Sequence, residues 1–304
     1  MLLLIKYTLL YTMVLMLVAL GGMFSEHSGI INIALEGIMV VGGLAGIIAM
    51  KVLGGSPAAV VVILSVLIAG LSGMIYACLL AFASVNLKAD QTIGGTALNV
   101  LATALAMVIA KQVNGSQSAK LDYSNSAFLF KIGPLDVSIF LVLGLAILVA
   151  SYVVLYKTRF GLRLCACGEH PQAADSVGIN VYKMRWAGVI ISGVLGGLGG
   201  FAYIVPSVQS WNFEVGVAGM GFLALAVMIF GQWKPHRIFL AAIFFAFFRA
   251  LANIADSTFL SVLAWPKEVY NMMPFIASMV ILAFTSKNSR APKAEGIPYD
   301  KGQR

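Results

Sequence analysis

The sequence predicts an all-α fold, a polytopic membrane helix bundle of about nine transmembrane helices. Three observations carry that expectation. Hydrophobic residues make up 60% of the 304 and charged residues 11%; mean hydropathy is +0.94; and the apolar residues gather into nine runs. An ordinary soluble domain carries about a quarter charged residues. A helix needs about 20 mainly apolar residues to cross a ~30 Å hydrocarbon core, and each run meets or approaches that length. Barrel strands would be about ten residues long with strict alternation, which these runs lack.

The first run, Leu2 to Gly21, is longer than a signal-peptide core, and no small-x-small cleavage site follows it, so it is expected to stay in the mature protein. The second, Ile33 to Leu53, carries Gly42 and Gly46 at the four-residue spacing that lets helix backbones approach closely in lipid. The third, fourth and fifth are Ala58 to Ala83, Ile93 to Ala110 and Val137 to Tyr156. The sixth, Trp186 to Val205, repeats the close-packing spacing at Gly193/Gly197 and Gly196/Gly200. Its Gly197-x-Gly199-x-x-Ala202 matches a dinucleotide fingerprint by letter but follows no strand, so helix packing explains it better. Val215 to Phe230, Ile238 to Ala255 and Val269 to Thr285 complete the set. Residues 1–285 thus read as one transmembrane domain, and 286–304 as a polar, mobile cytoplasmic tail with Pro292 and Pro298.

Charge sets the expected orientation. With the longest hydrophilic interval, residues 157–185, placed inside, that side collects thirteen of the twenty Lys and Arg and the other side six, Arg249 remaining within a span. Basic residues near span ends are retained in the cytoplasm, so the N-terminus is expected outside and the C-terminus in the cytoplasm. The net charge of +8 is scattered over loop ends and tail rather than clustered with aromatics, which excludes a nucleic-acid role and leaves membrane lipid as a partner.

Enzymatic chemistry finds no footing. No Gly-Lys dipeptide occurs, so there is no phosphate-cradling Walker loop. Cys78, Cys165 and Cys167 lack redox or zinc spacing, and His27, His170 and His236 sit in different loops, so no metal site is expected. Polar groups in or beside the spans carry more information, because each is costly in hydrocarbon. Asn32 and Glu36 open the second span, Asn99 lies in the fourth, and Arg249 shares a face with Asn253 in the eighth. They either line a pathway or, as in pairing of Arg249 with Glu214 or Asp256, hold helices together.

The hydrophilic interval reads as a short helix. Pro171 suits a first helical position and Gly178 a C-terminal cap, giving about two turns from Pro171 to Val177 followed by apolar Ile179. Such a helix fits docking into a partner's groove, or lies on headgroups.

Gly168-Glu-His-Pro-Gln-Ala-Ala-Asp-Ser-Val-Gly-Ile-Asn180, followed by the glycine-rich sixth span, resembles the ATPase-coupling loop and next helix of ABC importer permeases of the branched-chain amino acid and simple-sugar type. Ser28-Gly-Ile-Ile-Asn-Ile-Ala-Leu-Glu-Gly37, Gln91-Thr-Ile-Gly-Gly-Thr-Ala-Leu-Asn99 and the block from Gly219 to Pro235 resemble its nucleoside branch. The pattern departs at Gly94, His236-Arg237 and Arg249.

The resemblance implies an ATP-driven importer subunit of a prokaryotic cytoplasmic (inner) membrane, for nucleosides, with simple sugars or branched-chain amino acids as the alternative. It implies a separate ABC ATPase holding ATP and Mg, a second permease subunit and an extracytoplasmic solute-binding (lipo)protein, with no cofactor on this chain. The coupling residues it implies are Glu169, Pro171, Ala173, Ala174, Val177, Gly178 and Ile179. A substrate path would draw on Asn32, Glu36, Gln91, Asn99, Trp211, Phe213 and Phe222, with Trp211 also fitting an interfacial belt. An ion-coupled secondary transporter, which would be expected to show coupling acids near mid-membrane, is the rival class.

Overall fold

The computed structural model describes residues 2–132, 135–254, 269, 272–276, 279 and 291–302. Along the chain run α1 (Leu2–His27), α2 (Leu35–Val52), α3 (Ala58–Ala81, prolonged by a π-helical turn Phe82–Asn86) and α4 (Gln91–Asn114). Next come β1 (Lys120–Asp122), β2 (Leu129–Ile132), β3 (Leu135–Ser138), α5 (Ile139–Lys157), α6 (Arg159–Glu169) and α7 (Pro171–Ser176). The series closes with α8 (Val181–Ile204), β4 (Ser210–Asn212), α9 (Met220–Phe230) and α10 (Pro235–Ile254). Among the described residues the regular structure is helical apart from two short ribbons, and seven of the helices, α1 to α5, α8 and α10, are long and apolar enough to cross a membrane.

Helix α1 is buried on every side from Tyr11 to Glu26 and forms the axis of the bundle. Helices α8, α9 and α10 pack against it, and α8 also packs on α2 and α3. Close packing follows from the glycines. A Cβ at Gly42 would lie 2.3 Å from the Gly197 Cα, and a Cβ at Gly197 would lie 2.4 Å from the Ala69 carbonyl oxygen, so Gly197 is pressed between α2 and α3. Helices α3, α4 and α5 keep a wide apolar face outward, as in the stripe Ile63, Leu67, Leu71 and Ile75, which suits contact with lipid.

Two ends are distinct. One carries α6 and α7. At the other, β1 pairs antiparallel with β4, Leu121 opposite Trp211, and β2 with β3, so the two loops expected to lie on one side are joined into a single structure.

Two expectations change, and a third falls for the most part outside the described residues. The seventh run, Val215 to Phe230, is not a crossing helix: α9 has 11 residues, about 16 Å at 1.5 Å per residue, half a hydrocarbon core. Gly216, Ala218 and Gly219 adopt positive φ of 61°, 54° and 76°, and helical φ cannot run through them. An apolar run signals lipid but does not tell helix from irregular backbone. The ninth run, Val269 to Thr285, lies for the most part outside the described residues. The tail, expected to be mobile, is packed over 291–302: the Ala294 N–H donates to the Gly168 carbonyl at 2.8 Å, the Gly296 N–H to the Gly29 carbonyl at 3.2 Å, and Tyr299 is buried.

Gly197→Val should prevent the approach of α8 to α2 and α3, costing about 3 kcal/mol or more because backbone must move. A drop in melting temperature of the detergent-solubilised protein, against an unchanged Gly94→Val control in open space, checks this.

Candidate functional site

Irregular backbone within a membrane bundle leaves peptide groups that lipid cannot satisfy, and here side chains supply the partners. Between α1 and α2 the chain is non-helical over residues 28–34. Asn99 of α4 accepts from the Gly37 N–H at 2.7 Å and donates from Nδ2 to the Ile33 carbonyl at 2.9 Å. Gln91 accepts from the Ile31 N–H at 2.7 Å, and Asn32 donates to the Ser192 hydroxyl of α8 at 2.8 Å. Among the described residues the Asn32 Oδ1 and Gln91 Nε2 find no hydrogen-bond partner.

Glu36, in the first turn of α2, meets the start of α9. Its Oε1 accepts from the Gly219 N–H at 2.8 Å and its Oε2 from the Gly221 N–H at 2.6 Å. The carboxylate thus caps another helix, facing the positive end of that helix's dipole. A Cβ at Gly221 would lie 2.5 Å from the Glu36 backbone nitrogen, so a glycine there is what allows the approach. Beside this junction is a cavity of about 310 Å³, lined by Ala218, Gly219, Met220, Leu223, Arg249 and Phe275. Arg249 hydrogen-bonds Tyr203 of α8 and lies within electrostatic reach of Glu36 and Tyr11. Its surroundings on this side are therefore α1, α2 and α8 rather than Glu214; Asp256 lies outside the described residues.

The other residues expected along a path are distributed. Phe222 is exposed on α9, whereas Phe213 is buried. Trp211 donates from its indole N–H to the Gly216 carbonyl at 3.0 Å and stacks edge-on with Tyr203, centroids 5.5 Å apart. Tyr203 and Gly221 were not singled out by sequence reasoning; the Gly219-Met-Gly221 spacing was the available signal for the latter.

At the opposite location, the His170 ring Nδ1 accepts from the Ala173 N–H at 3.2 Å, capping α7, with Pro171 in the first turn. Gly178, φ +84°, turns the chain, and Asn180 caps α8 by accepting from the Lys183 N–H at 3.0 Å. Glu169, Ala173, Val177 and Gly178 are exposed, Val177 by 76%, and Ile179 is half-buried. Pro171 and Ala174 are buried: the three-residue step places both on the inward side of a helix, so Ala174 packs on Cys167, Val181 and Tyr299 instead of facing outward. Burial pushes the Cys165 and Cys167 thiols up to about 11, which leaves them poorly nucleophilic at neutral pH.

Residues 4–283 match the family described as branched-chain amino acid transport system / permease component. The chain belongs to that family. It is similar to the nucleoside ABC transporter permease protein NupC of Lactococcus lactis, 38% identical over 97% of this chain and 96% of the relative. It is also similar to the guanosine ABC transporter permease protein NupQ of Bacillus subtilis, 38% identical over 98% of this chain and 96% of the relative. A putative glucose ABC transporter permease protein, TsgC13 of Haloferax volcanii, is 30% identical over 78% of this chain and 73% of the relative. The present permease is therefore a multi-pass membrane subunit of an ABC importer, a transport component and not an enzyme.

Replacing Glu36 with Ala leaves the Gly219 and Gly221 N–H groups without their acceptor. Each bond to a charged group contributes about 1.5–3 kcal/mol, so a loss of about 3 kcal/mol or more is expected in denaturation of the permease, with Glu36→Gln intermediate.

Proposed function

We propose that this permease carries nucleosides inward, driven by ATP hydrolysis on a separate ABC ATPase that seats on α7. The observation that supports the solute most is the 38% identity over nearly the whole length to permeases named for nucleosides and guanosine; the glucose relative is more distant. The orientation follows the basic residues, with the α6/α7 end and C-terminus cytoplasmic and the N-terminus outside. Residues 1–285 form the permease domain. A second permease subunit completes the corridor, and a solute-binding (lipo)protein delivers the nucleoside to the paired β1/β4 end. ATP and Mg belong to the ATPase, and this chain binds no cofactor.

In this reading the cavity beside Glu36 and Arg249 is part of the solute path. Its glycine backbone, its arginine and Phe275 offer hydrogen-bonding and aromatic surface to an uncharged solute. Glu36 acts by holding the mouth of α9 open to that cavity. Asn32, Gln91 and Asn99 keep the 28–34 segment in place beside it, and Phe222 faces the second subunit. Weak binding suits the role, because tight binding would slow release. The ATPase, for its part, contacts the outward side of the coupling helix, Glu169, Ala173, Val177 and Gly178. Nucleotide shifts the transporter only through a difference in how the ATPase grips its two conformations, and α7 is where that difference is applied.

In vesicles bearing the assembled importer, uptake of labelled guanosine should stop on ATP depletion and be competed by nucleosides but not by glucose or leucine. Competition by glucose or leucine alone would reassign the solute, and uptake that persists without ATP would reject the coupling. Val177→Asp, at an exposed position, should leave the permease folded and reduce uptake about tenfold or more, the range of a lost docking contact.

A further inference from the structure

Helix α7 has six residues, and helices shorter than about 12–15 residues are marginal in water. Its capping by His170 and the turn at Gly178 define its ends but not its tilt against the bundle. Only Pro171 and Ala174 are buried on it; it packs on α6 and α8, and a further surface lies against its inward side. That surface comes from the other end of the chain.

Ala174 lies in a small apolar cluster with Cys167, Val181 and Tyr299. Tyr299 is the large member and the one that comes from beyond α6 to α8. Its ring meets Tyr182 edge-on at 5.4 Å between centroids and lies 6.0 Å from the Arg185 guanidinium. Arg185 is almost fully buried, and among the described residues its Nε and Nη2 find no hydrogen-bond partner, so a π-face against it offsets part of the cost of burying the charge. Just after that tyrosine in the chain, Lys301 pairs with Asp175 of α7 at 3.9 Å and Asp300 with Lys88, on the link from α3 to α4, at 3.1 Å. Both pairs are exposed on at least one partner and weak singly. The firm attachments lie upstream. The Ala294 N–H bonds the Gly168 carbonyl at the end of α6, and the Gly296 N–H bonds the Gly29 carbonyl just past α1. Glu295 hydrogen-bonds Glu26 of α1, one carboxyl of the pair holding the proton, and Glu26 also accepts from the Trp233 indole between α9 and α10.

We propose that residues 291–302 are a positioning strap, which holds the coupling helix α7 at a fixed tilt to the ends of α1 and α8 through Tyr299. The strap carries displacement of α7 to the axis of the bundle and to the α9–α10 corner; without it, the ATPase still docks and hydrolyses ATP but moves α7 alone. The inference rests on α7 being the ATPase-docking element.

The test uses the complete importer in liposomes, this chain with its ATPase, second permease subunit and binding protein. Nucleoside imported per ATP hydrolysed is measured for Tyr299→Ala, Tyr299→Phe and, as a reference for docking, Val177→Asp. Tyr299→Ala is expected to assemble and hydrolyse ATP while the transport-to-hydrolysis ratio falls about fivefold or more, the lower range of a coupling between sites. Tyr299→Phe, which keeps the ring, should return the ratio to within about twofold. A wild-type ratio in Tyr299→Ala, or a Phe variant no better than the Ala variant, overturns the strap. If Tyr299→Ala does not assemble, Tyr299→Leu is measured in the same way, and failure of both to assemble makes the residue part of the fold and overturns the proposal. Val177→Asp separates the two readings: normal coupling there removes the docking assignment itself, whereas a defect there beside a normal Tyr299→Ala removes the strap alone.

Discussion

The constraint on which the rest of this permease depends is that a peptide N–H within a membrane bundle must find an acceptor. At the start of α9 the backbone passes through positive φ at Gly216, Ala218 and Gly219 and exposes the free N–H groups of a helix that begins inside the bundle. Glu36 satisfies two of them with one carboxylate. That single side chain ties α2 to α9, and it fixes where the cavity beside Arg249 can open. The helix dipole, the donated hydrogen bonds and Arg249 within reach offset part of the cost of burying an acid there.

The same rule organises the segment between α1 and α2. Three amides, Asn32, Gln91 and Asn99, hold it by backbone or hydroxyl hydrogen bonds. Polar groups in the membrane thus fall into two kinds here: those that satisfy broken backbone and, with Arg249, those that also border open space. The glycines do the complementary work. By removing side chains at Gly42, Gly197 and Gly200, they let α8 lie close against α2 and α3 where lipid offers no hydrophobic driving force and van der Waals contact must supply the attraction. The result is a tight axis of α1 and α8 with irregular elements seated on it.

The end that carries α6 and α7 presents a very small element. Helix α7 presents Ala173 outward and Ala174 inward, so one residue step separates the surface available to a partner from the surface that touches the bundle. Its inward side rests on α6, α8 and the returning chain end.

Much of this was legible in the sequence, for a physical reason. Lipid imposes length and composition on crossing helices, so α1 to α5, α8 and α10 could be read from apolar runs, and local rules placed α7 between Pro171 and Gly178. The ordered motif blocks reached the family as well. Pairings across more than 60 residues left no such trace: Asn99 with Gly37, Glu36 with Gly219, and Trp233 with Glu26 are choices among several polar residues whose individual costs in lipid are alike. Composition likewise missed the break before α9, since Val215 to Phe230 is as apolar as a span, and the anchoring of the tail, where Ala294 and Tyr299 are two buried residues in a polar stretch. The sequence by itself determined the solvent, the long helices and the short helix α7, because each is dictated by neighbours in the chain. Tertiary structure alone decided which backbone is capped by which side chain, which side of α7 faces out and where the cavity lies, because those depend on distances between residues that the chain order does not encode locally.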